Sequence, residues 1–198
     1  MLTPLKLLQA AVNSFEKNRC PFCLVGGHAA SLYRAQERFT KDVDFAVSAL
    51  PPSQSQEQAE KVISMLGLTP VVGYIPVVNG EPQRNPLCMV TSAPAKGESK
   101  GLIDILLPEL PWVSKAVERA QHNCLDLGFA KVPVITPEDL VIAKCYALRN
   151  APDRFQDLDD LKAIFEHLRV LDRDYLECSL KAHSLVIPEQ VRKYLVFE

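Results

Sequence analysis

No stretch of this chain approaches the roughly 20 consecutive apolar residues that a helix needs to cross a bilayer. Neither charge sign dominates: 22 Lys and Arg stand against 24 Asp and Glu, a formal net charge of −2. The first absence excludes a membrane-spanning helix. The second removes any general electrostatic reason for tight, non-specific nucleic-acid binding; a local basic groove stays open, because net charge says nothing about distribution. Paired cysteines are also scarce. Six cysteines stand at 20, 23, 88, 124, 145 and 178, and only Cys20 and Cys23 lie close, as CPFC. A zinc site would want a second pair at matching spacing. A thioredoxin-like dithiol would follow a strand and open a helix. Here the pair follows a helical pattern and leads into the apolar run Phe22–Val25, so ordinary reduced thiols are expected. The chain also lacks internal repeats, low-complexity tracts and the His-rich spacing usual in metal-dependent phosphohydrolases.

What is present is an ordinary globular mixture: 198 residues, 47% apolar and 23% charged. That is enough to bury a core without staples. The opening MLTPLKLLQAAVNSFEKNRC is superficially like a signal peptide, but Lys6 and Gln9 interrupt its apolar stretch. Leu5, Leu8, Val12 and Phe15 have helical spacing, which predicts an amphipathic first helix of the mature protein and a cytoplasmic location. Phe22–Val25 reads as a short strand stopped by Gly26-Gly27, residues 28–37 as a helix, and 42–47 as an alternating strand. A helix is predicted over 53–66, then strands over Val71–Val78 and Leu87–Thr91 joined by the turn-rich NGEPQRNP as a hairpin. Leu102–Leu107 reads as a buried strand bounded by Gly101 and Pro108. Helical patterns follow at about 113–123, 137–149, 157–169, 172–182 and 188–195. The expected fold is α/β (α+β): a small mixed β-sheet flanked by helices over residues 1–112, with a mainly helical C-terminal region, 113–198, packed on it.

Three carboxylates draw attention. Asp42 and Asp44 stand two apart on a predicted strand, so their side chains project from one face. So close, they raise each other's pKa unless a cation lies between them. Mg²⁺ prefers oxygen ligands and commonly takes one or two carboxylates plus substrate phosphates. The bland alternative is a pair of exposed aspartates on an edge. Asp104 stands within Leu-Ile-x-Ile-Leu-Leu, where burying an acid is costly unless it is paired or holds a metal. If its strand neighbours 42–47, three acids converge; otherwise a salt bridge or an edge position in water accounts for it. Gly26-Gly27, after a strand and before a helix, would let the backbone approach a ligand closely, although many tight turns use the same pair. Lys144 could reach a triphosphate as a point charge or snorkel from the core edge. Arg38 divides between phosphate contact and pairing with Asp42 or Glu37. Asp157 and Asp160 read as helix-N-terminal acids, and His122, His167 and His183 as surface residues.

The segment VGGHAASLYRAQERFTKDVDFAV resembles the signature of the polymerase-beta-type nucleotidyltransferase superfamily: strand, Gly-Gly, helix, then Asp-x-Asp on the next strand. Its R-x-T-x-D-x-D-F flavour (Arg38, Thr40, Asp42, Asp44, Phe45) is similar to AbiEii-like and other small bacterial nucleotidyltransferases. The later ITPEDLVIAKCYALRNAPDRFQDLDDLKAIF resembles them too, through Pro137, Glu138, Asp139, Leu140, Lys144, Arg154, Asp157, Leu158 and Asp160. Two departures stand out. The spacer from Gly27 to Asp42 is fourteen residues, slightly long, and His28 takes a place often held by Ser, Thr or Ala. His28 would contact phosphate, or else cap or pack.

The resemblance implies a nucleotidyltransferase palm fold and Mg²⁺ (or Mn²⁺) held by Asp42, Asp44 and Asp104. A nucleoside triphosphate would lie against Gly26, Gly27, Arg38 and Lys144. Nucleoside monophosphate transfer would go to an acceptor hydroxyl on RNA (tRNA included), a protein or a small molecule. It also implies a toxin of a toxin–antitoxin or phage-defence system, with a protein partner. The alternative is an inactive nucleotidyltransferase fold that acts by binding a protein partner.

Overall fold

The computed structural model describes residues 3–36, 40–49, 51–74, 87–94, 102–168 and 170–195. Helix α1 (Pro4–Lys17) starts where Thr3 accepts the Lys6 N–H and Pro4 fills the first turn, which has an N–H to spare. It buries Leu7, Leu8, Ala11, Val12 and Phe15. Leu5, expected on that stripe, instead lies 60% exposed. Phe15 stacks on Phe22 at 4.6 Å between centroids and meets Phe45 edge-on at 4.9 Å, joining the helix to the first two strands.

The main sheet holds β1 (Phe22–Leu24), β2 (Val43–Val47), β3 (Pro70–Tyr74), β4 (Leu87–Ser92) and β5 (Ile103–Leu106), in the order β1-β2-β5-β4-β3. Only β2 and β5 run parallel; the other pairs are antiparallel. The mixed sheet read from the sequence is therefore present. Between its strands come α2 (Gly26–Leu32), a 3-10 turn over Pro52–Gln54 and α3 (Ser55–Met65). The α2 helix is shorter than the 28–37 expected and begins two residues earlier. The β2 strand starts at Val43, so Asp42 stands just outside it. The proposed hairpin turn 79–86, the end of the 71–78 strand and Arg38 lie outside the described residues.

The C-terminal half carries α4 (Val113–Ala120), α5 (Pro137–Asn150), α6 (Phe155–His167), α7 (Arg173–Ala182) and α8 (Glu189–Arg192). Thr136 caps α5 by accepting from Asp139 N, and Asp172 caps α7 by accepting from Tyr175 N. The Arg119 Nε donates to Asp139, as does the Tyr175 hydroxyl, tying α4, α5 and α7 together. An unexpected hairpin, β6 (Cys124–Asp126) with β7 (Lys131–Pro133), sits in this half. Gly128 turns it at φ +82°, and its N–H donates to Asp126. Val134 then bridges in parallel to Leu24, so the chain leaving the hairpin lies beside β1. Leu24, Phe45 and Ile105 from the sheet share one buried cluster with Val117, Ile135, Ile142 and Phe165 from the C-terminal half. Among the described residues, no helix is long and apolar enough to cross a membrane.

Candidate active site

Parallel pairing of β2 with β5 sets Asp44 directly beside Asp104. Paired residues of adjacent strands point to the same face, and Asp42, two residues before Asp44, joins them. Each of the three acids offers a carboxylate oxygen, and these atoms all lie within 4.8 Å of one another. A different donor holds each acid. Thr40 Oγ1 donates to Asp42 Oδ1 at 3.0 Å, and Thr91 Oγ1, from β4, donates to Asp104 Oδ1 at 2.5 Å. Asp44 Oδ2 accepts the Gly27 N–H at 3.4 Å, and the Asp44 carbonyl accepts Val25 N–H at 2.9 Å.

Gly26 explains why this turn needs glycine. Its φ is +63°, and a Cβ there would fall 1.9 Å from Asp44 Oδ2. Any side chain would meet both backbone strain and the carboxylate. Burial above all, then the charges of Asp42 and Asp104, push the Asp44 carboxyl up to about 7; the Gly27 N–H and the Lys144 charge pull the other way.

Lys144 is buried in a cage of its own. Its Nζ donates to Asp157 Oδ1 at 2.9 Å and to Asp160 Oδ2 at 2.7 Å. The second oxygen of Asp160 accepts Arg34 Nη1 at 2.7 Å, while Arg34 Nη2 reaches Asp159 at 2.9 Å. Arg154 Nε closes the far end on Asp157. Asp157 stands in the first turn of α6, as expected of a helix-N-terminal acid, whereas Asp160 lies further in; both are buried partners of a lysine. The chain of charges joins α5 and α6 to Arg34, just beyond α2. Tyr33 adds a second tie there: its hydroxyl donates to Ile135 O at 2.8 Å and accepts from Asn123 Nδ2 at 2.7 Å.

Sequence reasoning missed Arg34 and Thr91. Thr40 stood in the quoted motif string, but without a role. Nothing in the local pattern marks Thr91, whose partner lies on another strand. His122 and His167 are exposed and His183 is half-buried. The CPFC thiols are free and buried, and burial pushes Cys20 up to about 11 and Cys23 further still, which suits packing rather than redox chemistry.

A strand, a glycine turn, a short helix and three acids on or beside two parallel strands make up the candidate site. The family profile described as nucleotidyl transferase AbiEii toxin, type IV TA system, matches residues 6–190, and the chain belongs to that family. Among solved structures it is similar to ANT(2″)-Ia in complex with adenylyl-2″-tobramycin, at 14% identity and a TM-score of 0.55, over 91% of this chain and 96% of that one. A second similar structure is an antigenic nucleotidyltransferase-like protein from Paracoccidioides brasiliensis, at 13% identity and a TM-score of 0.47, over 89% and 86% of the two chains. At such identities the likeness to ANT(2″)-Ia establishes the shared fold. A search of curated proteins found no match.

Proposed function

We propose that this protein transfers a nucleoside monophosphate from a nucleoside triphosphate to an acceptor hydroxyl, using a divalent metal held by Asp42, Asp44 and Asp104. The observation that carries this reading is the convergence of three carboxylates within 4.8 Å beside the Gly26 turn. The donor set suits Mg²⁺ or Mn²⁺, since it offers only hard oxygens. The Asp44 carboxyl, raised by burial first and then by the charges of Asp42 and Asp104, suits the same reading, because a bound cation would offset both. When bound, such an ion supplies positive charge to phosphate oxygens as negative charge moves onto the leaving group.

In the proposed reaction the acceptor oxygen bonds to the α-phosphorus as the bond to the β-phosphate oxygen breaks. Pyrophosphate leaves with that electron pair, and the acceptor proton passes to Asp104. Gly26 and Gly27 are proposed to meet the phosphates through their backbone, while the space a Gly26 side chain would fill is taken by the Asp44 carboxylate. Lys144 contributes positive charge beside the acids; direct contact with the triphosphate would require its Nζ to leave Asp157 or Asp160. Arg38 is proposed as a second phosphate contact. The acceptor is an RNA end, a protein hydroxyl or a small molecule, and the protein acts in the cytoplasm as a toxin held in check by an antitoxin.

Calorimetric titration of ATP, CTP, GTP and UTP tests the reading, with Mg²⁺ and with chelator, on the wild type and on Asp42→Ala/Asp44→Ala. Metal-dependent binding lost in the variant supports it and identifies the base. Absence of binding by every triphosphate would overturn it in favour of a fold that acts through a protein partner.

A further inference from the structure

Asp104 reaches the site from the second residue of β5, and the dipeptide Thr91-Ser92 on β4 holds that strand's start in two ways. Ser92 is fully buried, and its Oγ accepts Leu102 N–H at 2.8 Å and Ile103 N–H at 3.4 Å. That fixes the backbone entering β5. Thr91 pairs directly with Asp104 across the antiparallel ladder. Its hydroxyl lies 2.5 Å from Asp104 Oδ1, against 3.3 Å from Ile103 O and 3.4 Å from Ser92 O. A hydroxyl has one proton to give, and the nearest, charged acceptor takes it. Donation to one carboxylate oxygen sets the plane of the group and therefore where its other oxygen lies.

We infer that Thr91 is a positioning residue for the metal site: it orients Asp104 as a ligand and touches neither ion nor substrate itself. The inference rests on the metal reading proposed above. Partners of this kind commonly change metal affinity by about 10–100-fold when removed.

The test is Mn²⁺ titration of the full chain, followed by the electron paramagnetic resonance signal of free Mn²⁺, on the wild type, Thr91→Val, Thr91→Ser and Thr91→Ala. Thr91→Val keeps the shape and loses the hydroxyl; Thr91→Ser keeps the hydroxyl and loses the methyl. A positioning role predicts weaker Mn²⁺ binding in Thr91→Val, by about 10–100-fold, and wild-type binding in Thr91→Ser. A packing role predicts the reverse order, which would overturn the inference. Equal binding by Thr91→Val and wild type would overturn it as well, while leaving the proposed function standing. Should Thr91→Val fail to fold, Thr91→Ser against Thr91→Ala decides: serine at the wild-type level with alanine weakened supports the role, and serine as weak as alanine ends it. A wild type that binds no Mn²⁺ overturns both this inference and the function on which it rests.

Discussion

Gly26 and Asp44 occupy each other's space: a Cβ on Gly26 would stand 1.9 Å from Asp44 Oδ2, on a backbone already at φ +63°. The turn and the central acid of the site are thus one unit. Gly26→Ala is expected to destabilise the fold by about 1–3 kcal/mol, the cost of a non-glycine residue held in a sparse backbone region, and to displace the Asp44 carboxylate. Thermal unfolding together with Mn²⁺ titration checks this. An alanine variant with unchanged melting and unchanged Mn²⁺ affinity would refute the close approach.

The raised Asp44 carboxyl makes metal-free stability depend on pH. Unfolded, this group titrates near 3.8; folded, burial and its acidic neighbours move it to about 7. Between those values the folded chain holds a proton that the unfolded chain has released, so stability falls as pH rises through this window. The metal-free wild type should therefore lose melting temperature from about pH 4 to 7 more steeply than Asp44→Asn. Added Mg²⁺ or Mn²⁺ should raise it again at pH 8. Parallel pH profiles for the two proteins would contradict the assignment.

The Lys144 cage should show the opposite sign. Burial alone would raise Asp157, but Lys144 and Arg154 outweigh it and hold that carboxyl below its ordinary value. Its contribution is present above the ordinary carboxylate range and is lost as pH falls through the folded value. Removing the lysine leaves Asp157 and Asp160 facing each other without their shared cation. Lys144→Ala is expected to cost about 3–5 kcal/mol, typical of breaking a buried ion pair. A denaturant midpoint equal to the wild type's at pH 7 would show that the cage contributes nothing.

Loss of a ligand should be more severe than loss of its support. Asp104→Asn is expected to lower transfer by more than the roughly 100-fold that marks the upper end of outer-shell effects, and chelator should do the same to the wild type. Transfer measured with a labelled triphosphate would settle the order, once an acceptor is in hand. Activity of Asp104→Asn above that of Thr91→Val would reverse the assigned roles.

Local pattern carried much of the fold. Thr3-Pro4 and Thr136-Pro137 announce helix starts because the threonine oxygen and the missing proline N–H answer orphan donors within the same few residues. The β6–β7 hairpin gave no such signal. Its strands are three residues each and half-exposed, and the chain beyond them finds its neighbour in β1, far back along the sequence. The α2 helix, Gly26–Leu32, ends before the 28–37 stretch expected to be helical does. Just past its end, Tyr33 and Arg34 turn to partners near β7 and on α6, which no propensity encodes.

By itself, the sequence determined that a glycine turn precedes a strand bearing Asp44, with Asp42 two residues earlier at its entrance. Only the tertiary structure decided that Asp104 completes the group, that Thr91 holds it, and that Lys144 is clasped by two buried aspartates. Each of those outcomes depends on which strand or helix becomes a neighbour. That choice is made by burial of the whole core, and residues distant along the chain carry no local mark of it.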